Sequence, residues 1–138
     1  MINVVKFTLF SLIVIATNLG LPHLNAEEGE VAISYVEIEP VIVTNFLRPK
    51  GKKPGFVQLQ AQITVHSTVA ADAVEKHMPL IRDTIIDFLS FTEEEVIKDV
   101  TQRRQLRENL SAKIKKTLED VLGNAYAEDL VITHFMWG

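Results

Sequence analysis

At 138 residues the chain is one domain at most, and with 47% apolar and 23% charged residues it has ordinary globular usage rather than that of a disordered protein. A formal net charge of −4 gives no global basic field for nucleic acid. The absence of cysteine removes disulfides, thiol nucleophiles and thiolate zinc sites together.

Residues 1–26 read as a separate object. Lys6 precedes an uncharged run from Phe7 to Leu21, followed by Pro22 and by Leu24-Asn25-Ala26. A helix needs about 20 apolar residues to cross a bilayer, so this run is short. One positive charge, a brief apolar core and a small residue before an acidic start fit a secretory signal cleaved after Ala26. A retained short membrane anchor is the alternative. Residues 27–34, opening Glu27-Glu28-Gly29-Glu30, form a polar linker, and 35–138 is the working domain.

The first strand is expected over Tyr35 to Phe46, with Val36, Ile38, Ile42 and Phe46 sharing a face with Pro40. Pro40 cannot donate to a ladder, so the strand is an edge or bends there. The segment Arg48-Pro49-Lys50-Gly51-Lys52-Lys53-Pro54-Gly55 is turn-forming and makes a hairpin with the next strand. In that strand Val57, Leu59, Ala61, Ile63 and Val65 alternate with Gln58, Gln60, Gln62, Thr64 and His66. One face is buried and the other wet.

After Ser67, a natural N-cap, the period changes. Val74, Met78, Ile81, Ile85 and Phe88 line one stripe of a helix. Pro79 lies within that stripe, so two helical pieces should meet near His77 to Leu80. A boundary follows at Ser90-Phe91, and Thr92-Glu93-Glu94-Glu95 matches a capping box. The run Thr101 to Leu122 places Leu106, Leu110, Ile114, Leu118 and Val121 on one stripe, with Arg103, Arg107, Lys115 and Glu119 among the charges elsewhere. Gly123-Asn124 is a stop. Leu130 to Trp137 is β-rich and apolar on both faces, which suits a well-covered strand. The order β-β-α-α-β implies an α+β fold: a small antiparallel sheet with helices packed on one face.

These pieces in this order resemble the flagellar basal-body-associated FliL family. Tyr35-Val-Glu-Ile-Glu-Pro40 followed by Val41-Ile42-Val43 resembles its opening strand. Glu75-Lys76-His77-Met78-Pro79-Leu80-Ile81-Arg82-Asp83 resembles its first long helix, and Val131-Ile132-Thr133-His134-Phe135 its closing strand. The chain departs from the pattern in having little before its apolar run, and in reading Thr101-Gln102-Arg103-Arg104 where a Thr-Pro turn is usual. The resemblance implies a stomatin/prohibitin-like domain in the periplasm, associated with the inner membrane at the flagellar basal body. It implies a non-enzymatic component that supports flagellar rotation, motility and chemotaxis. Its partners would be MotA/MotB-type stator proteins, the basal body and further copies of itself in a ring, with inner-membrane contact, no cofactor and no nucleic acid. The alternative is a free periplasmic binding or chaperone-like module unrelated to the motor.

The residues themselves give little support to catalysis. His23, His66, His77 and His134 show no zinc spacing, and there is no Gly-x-Ser-x-Gly, phosphate-binding glycine loop or Asp-rich calcium loop. We expect no catalytic, cofactor-binding or metal residues. Partner contacts are expected instead at three places. Arg48, Lys50, Lys52 and Lys53 make a cationic hairpin tip, a solvated loop or a docking tip for anionic headgroups or an acidic partner. Gln58, Gln60 and Gln62 form a neutral amide row, plain solvated surface or a subunit interface. Glu75, Arg82 and Asp83, with Asp87, mark one charged helix face, and the basic side of the second helix offers an opposing one.

Overall fold

The computed structural model describes residues 32–138. The signal or anchor expected over 1–26, and most of the linker expected over 27–34, lie outside the described residues.

The alternating run forms the central strand. With β1 (Ser34–Glu37) and β2 (Ile42–Phe46) preceding it, β3 spans Gly55–Val65 and buries Val57, Leu59, Ala61, Ile63 and Val65. Both earlier strands pair antiparallel with the same edge of β3: Val36 faces Ile63, and Ile42 faces Leu59. The single strand expected over Tyr35–Phe46 is therefore two. Pro40, which has no N–H to give the ladder, falls in the gap between them. Val36, Ile38, Ile42 and Phe46 are buried as expected, but Pro40 is exposed and does not share their face. The β2–β3 connection is the expected hairpin.

Ser67 caps α1 (Thr68–Lys76), its hydroxyl oxygen accepting from the Ala70 N–H at 3.0 Å. The chain then breaks at His77 and restarts as α2 (Met78–Ser90), with Pro79 in the first turn. There a missing N–H costs nothing, because first-turn amides have no intrahelical partner. The break falls within the expected stretch His77 to Leu80. Val74, Ile81 and Ile85 are buried, while Met78 and Phe88 are half-buried against the same core.

A short α3 (Glu94–Lys98) and a 3₁₀ turn (Val100–Gln102) lead into α4 (Arg103–Leu122). The capping box expected at Thr92–Glu95 does not form. Glu93 holds the N-cap position without a side-chain bond, and Thr92 Oγ1 donates backward to the Phe88 carbonyl at 2.8 Å. The Thr92 N–H, which Glu95 would cap, instead donates to the Leu89 carbonyl at 3.1 Å, so α2's end uses both groups that the box needs. Along α4, Leu106, Leu110, Ile114 and Leu118 are buried, but Val121 is 59% exposed. Leu122, four residues after Leu118, packs against the core in its place. Gly123, at φ +75°, closes α4 in the left-handed region where a side chain is disfavoured.

The last strand, β4 (Asp129–Trp137), pairs antiparallel with the other edge of β3. It is an edge strand. Leu130 is buried, yet Val131, Met136 and Trp137 are more than one-third exposed, so the expected well-covered strand is corrected. No strand flanks its outer side among the described residues, and only its inward residues meet the helices.

The result is α+β: an antiparallel sheet with β3 at its centre and a helical layer sealing one face. Sheet and helices share one core. The observed order has three strands, four α-helices and a closing strand, because one expected strand and one expected helix are each divided and the stretch after Thr92 forms the short helix α3 between them and α4.

Candidate functional site

The cationic hairpin tip is partly folded inward. Leu47 N–H donates to the Thr92 carbonyl at 2.9 Å, and Glu94 N–H donates to the Leu47 carbonyl at 2.8 Å. This backbone clasp brings the Glu94 carboxylate under the loop. Arg48 Nε lies 3.1 Å from Glu94 Oε1, Lys52 Nζ donates to Oε2 at 3.1 Å, and Lys98 Nζ is 2.5 Å from Oε1. Hydrogen bonds from Lys98 and Lys52 hold the Glu94 carboxyl well below the usual carboxylate range, at about 2. Arg48 also donates to the Lys53 carbonyl at 2.9 Å. Of the four cations singled out in the loop, Lys50 and Lys53 alone carry no ion pair among the described residues.

The amide row lies on the open face of the sheet. Gln60 is exposed, and Gln58 and Gln62 are half-buried. Gln62 Nε2 donates to Glu37 Oε1 at 3.1 Å. Gln60 and Gln62, with Glu37, Glu39, Pro40 and Thr133, line a shallow recess of about 590 Å³ beside the gap between β1 and β2. Exposed Val43 and Met136 flank Gln58 in register, so the row carries apolar neighbours as well as amides. Glu75, Arg82 and Asp83 do not gather on that face. Arg82 is tied to the Pro40 carbonyl, and Glu75 and Asp83 stand exposed on α1 and α2. The structure therefore separates the expected contact residues into three surfaces.

Sequence reasoning missed a fourth. The start of α4 runs beside β4, where the Arg103 guanidinium carbon is 3.5 Å from the centroid of the Phe135 ring. Arg103 Nη2 donates to the Ile97 carbonyl at 3.0 Å, whereas Nη1 is buried with no hydrogen-bond partner. Burial pushes this guanidinium down from its ordinary value. Arg107 donates to both Asp129 carboxylate oxygens at 2.8 Å, and Ser111 Oγ donates to Oδ1 at 3.1 Å. Burial pushes Asp129 up, but the Leu130 N–H, Ser111 and Arg107 outweigh it and hold the carboxyl down. A signal was present: cationic Arg103 and Arg104 open a helix, where the macrodipole favours anions.

Among the described residues no group of three or more His, Cys, Asp or Glu side chains is placed to hold a metal ion. His77 Nδ1 lies 2.7 Å from the Ala73 carbonyl, and His66 Nε2 is 3.8 Å from Glu128 at the surface. No helix among the described residues is long and apolar enough to cross a membrane.

No curated protein matches the chain. The family model for the flagellar basal body-associated protein FliL matches residues 35–137, from the first strand to the last. The resemblance carried by the Glu39-Pro40 step, the His77–Asp83 stretch and the closing strand thus extends over the whole folded domain, and the chain belongs to the FliL family, whose members are flagellar basal body-associated proteins.

Proposed function

We propose that this protein is a non-enzymatic part of the flagellar motor, acting in the periplasm beside the inner membrane. Copies of the domain, built on a stomatin/prohibitin-like plan, form a closed ring around a MotA/MotB-type stator and support rotation, motility and chemotaxis. The family match over residues 35–137 carries this reading. The surfaces are consistent with it. Ring closure needs two different complementary patches on each subunit, repeated head to tail. The charged face of Glu75, Arg82, Asp83 and Asp87 and the basic side of α4 serve as the opposing pair, with the neutral Gln58, Gln60 and Gln62 row as a further contact. Neutral amides enter a contact without the desolvation cost of ions. Lys50 and Lys53 leave the loop a cationic tip for anionic lipid, each contributing about 1 kcal/mol at most.

The physical mechanism is a population shift. A ring that binds the stator's active form more tightly than its inactive form stabilises activity by that difference in affinity. Multivalency lets weak individual contacts suffice. The test is deletion of the gene followed by measurement of rotation at graded load. Filaments should assemble normally while torque or swarming falls, and the stator should co-purify with the intact protein. Normal swimming and swarming at every load overturn the proposal.

A further inference from the structure

The outer edge of β4 is unpaired among the described residues, and it is not protected evenly. Edge strands present free N–H and C=O groups that another chain can complete by adding a strand. Near its start β4 is closed by its own side chains: Asp129 accepts from the Leu130 N–H at 2.8 Å, and Arg107 donates to the Leu130 carbonyl at 3.2 Å. The register with β3 then breaks, with Ile132 opposite Ala61 and His134 opposite Gln60, which leaves Thr133 as the extra residue of a bulge. Past the bulge, no side chain hydrogen-bonds the backbone of residues 134–137 among the described residues.

That second half is lined with cations. Arg103 stacks on Phe135, Lys98 Nζ lies 5.0 Å from the Trp137 ring, and Arg103, Arg104 and Arg107 share a groove of about 420 Å³ with Ile132 to Phe135. Lys98 is paired with Glu94 and Arg107 with Asp129. Arg103 and Arg104 have no carboxylate within ion-pair distance among the described residues. Arg103 also keeps Nη1 buried and unbonded. A buried charged donor without an acceptor is costly, and a carboxylate would relieve it.

We propose that residues 134–137 of β4, with Arg103 and Arg104 alongside, receive an extended acidic segment of a partner protein as an added strand. Strand side chains alternate between faces, so carboxylates at every second position of the segment would point toward the helices and meet the two arginines. Backbone pairing supplies affinity and the arginines select the sequence. The inference does not depend on the motor role.

The probe is a short peptide of alternating Glu and Val, titrated into the full-length protein. Trp137, the one tryptophan of the chain, reports binding by fluorescence, and amide exchange of Phe135 and Trp137, whose N–H groups face away from β3, reports pairing. Saturable binding with slowed exchange is expected. Arg104→Gln, at an exposed position, should weaken it about fivefold, and Arg103→Gln about tenfold or more. A copy of the peptide N-methylated at alternate amides should lose binding while keeping its charge. The proposal is overturned by undiminished binding of the N-methylated peptide, or by equal binding of a Lys-Val peptide. It is overturned equally if neither arginine substitution weakens binding, or if the unliganded protein shows exchange protection at Phe135 and Trp137 that dilution removes, because a second copy then fills the edge.

Discussion

Glu94 and Lys98, one helical turn apart on α3, form a 2.5 Å ion pair that the β2–β3 loop completes from above through Arg48 and Lys52. The arrangement ties a turn-forming loop to the helical layer. It also spends half of the loop's selected cations on an internal contact. What remains for an outside partner is Lys50 and Lys53.

Acid should loosen this clasp in a defined window. The folded-state pKa of Glu94 is depressed from 4.5 to about 2, so its contribution is full above the unfolded value and is lost as pH falls from about 4.5 through about 2. Urea unfolding followed across that range should show wild-type stability declining more steeply than that of Glu94→Gln. Parallel curves would mean the carboxylate adds nothing specific.

Ile85 is fully buried where α2 meets the sheet and α4. Ile85→Ala should cost about 2–5 kcal/mol, combining lost transfer energy with the cavity left behind. Urea denaturation at neutral pH measures it. A cost near zero would place α2 outside the cooperative core.

The two hydroxyls at helix starts should behave differently. Ser67→Ala removes a bond to a helix amide and should cost about 1 kcal/mol. Thr92→Val removes a bond to the Phe88 carbonyl but no N-cap, and should cost about half as much. Equal and large losses would restore the capping box that the structure lacks.

Arg107 and Asp129 join α4 to β4 across an exposed surface. Their coupling in a double-mutant cycle should stay below about 1 kcal/mol, because solvent screens the pair. Removing Asp129 should have a clearer structural effect: faster amide exchange at Leu130, whose N–H it accepts.

Local pattern made much of the fold legible. The alternation Val57 to Val65 announced β3, since period two with one apolar face has few other uses. Ser67, Pro79 and Gly123 marked the helix ends because their backbone chemistry acts within a few residues. The same locality explains the errors. Thr92-Glu93-Glu94-Glu95 looks like a capping box until the end of α2 takes both the Thr92 N–H and its hydroxyl, through the Leu89 and Phe88 carbonyls. Val121 fits a three-residue step from Leu118, but the core takes the four-residue step to Leu122. Of the expected contact residues, Arg48, Lys52, Gln62 and Arg82 are engaged within the domain, which composition alone does not reveal.

Sequence by itself determined the family, the strand and helix rhythms and the interruption at Pro79, because each depends on neighbours a few positions apart. Only the folded chain decided that β4 is an edge with Arg103 stacked on Phe135, and that Glu94 gathers three cations. Those contacts join residues tens of positions apart. Their energies come from burial and shared charge, which exist only once the sheet and helices have closed on each other.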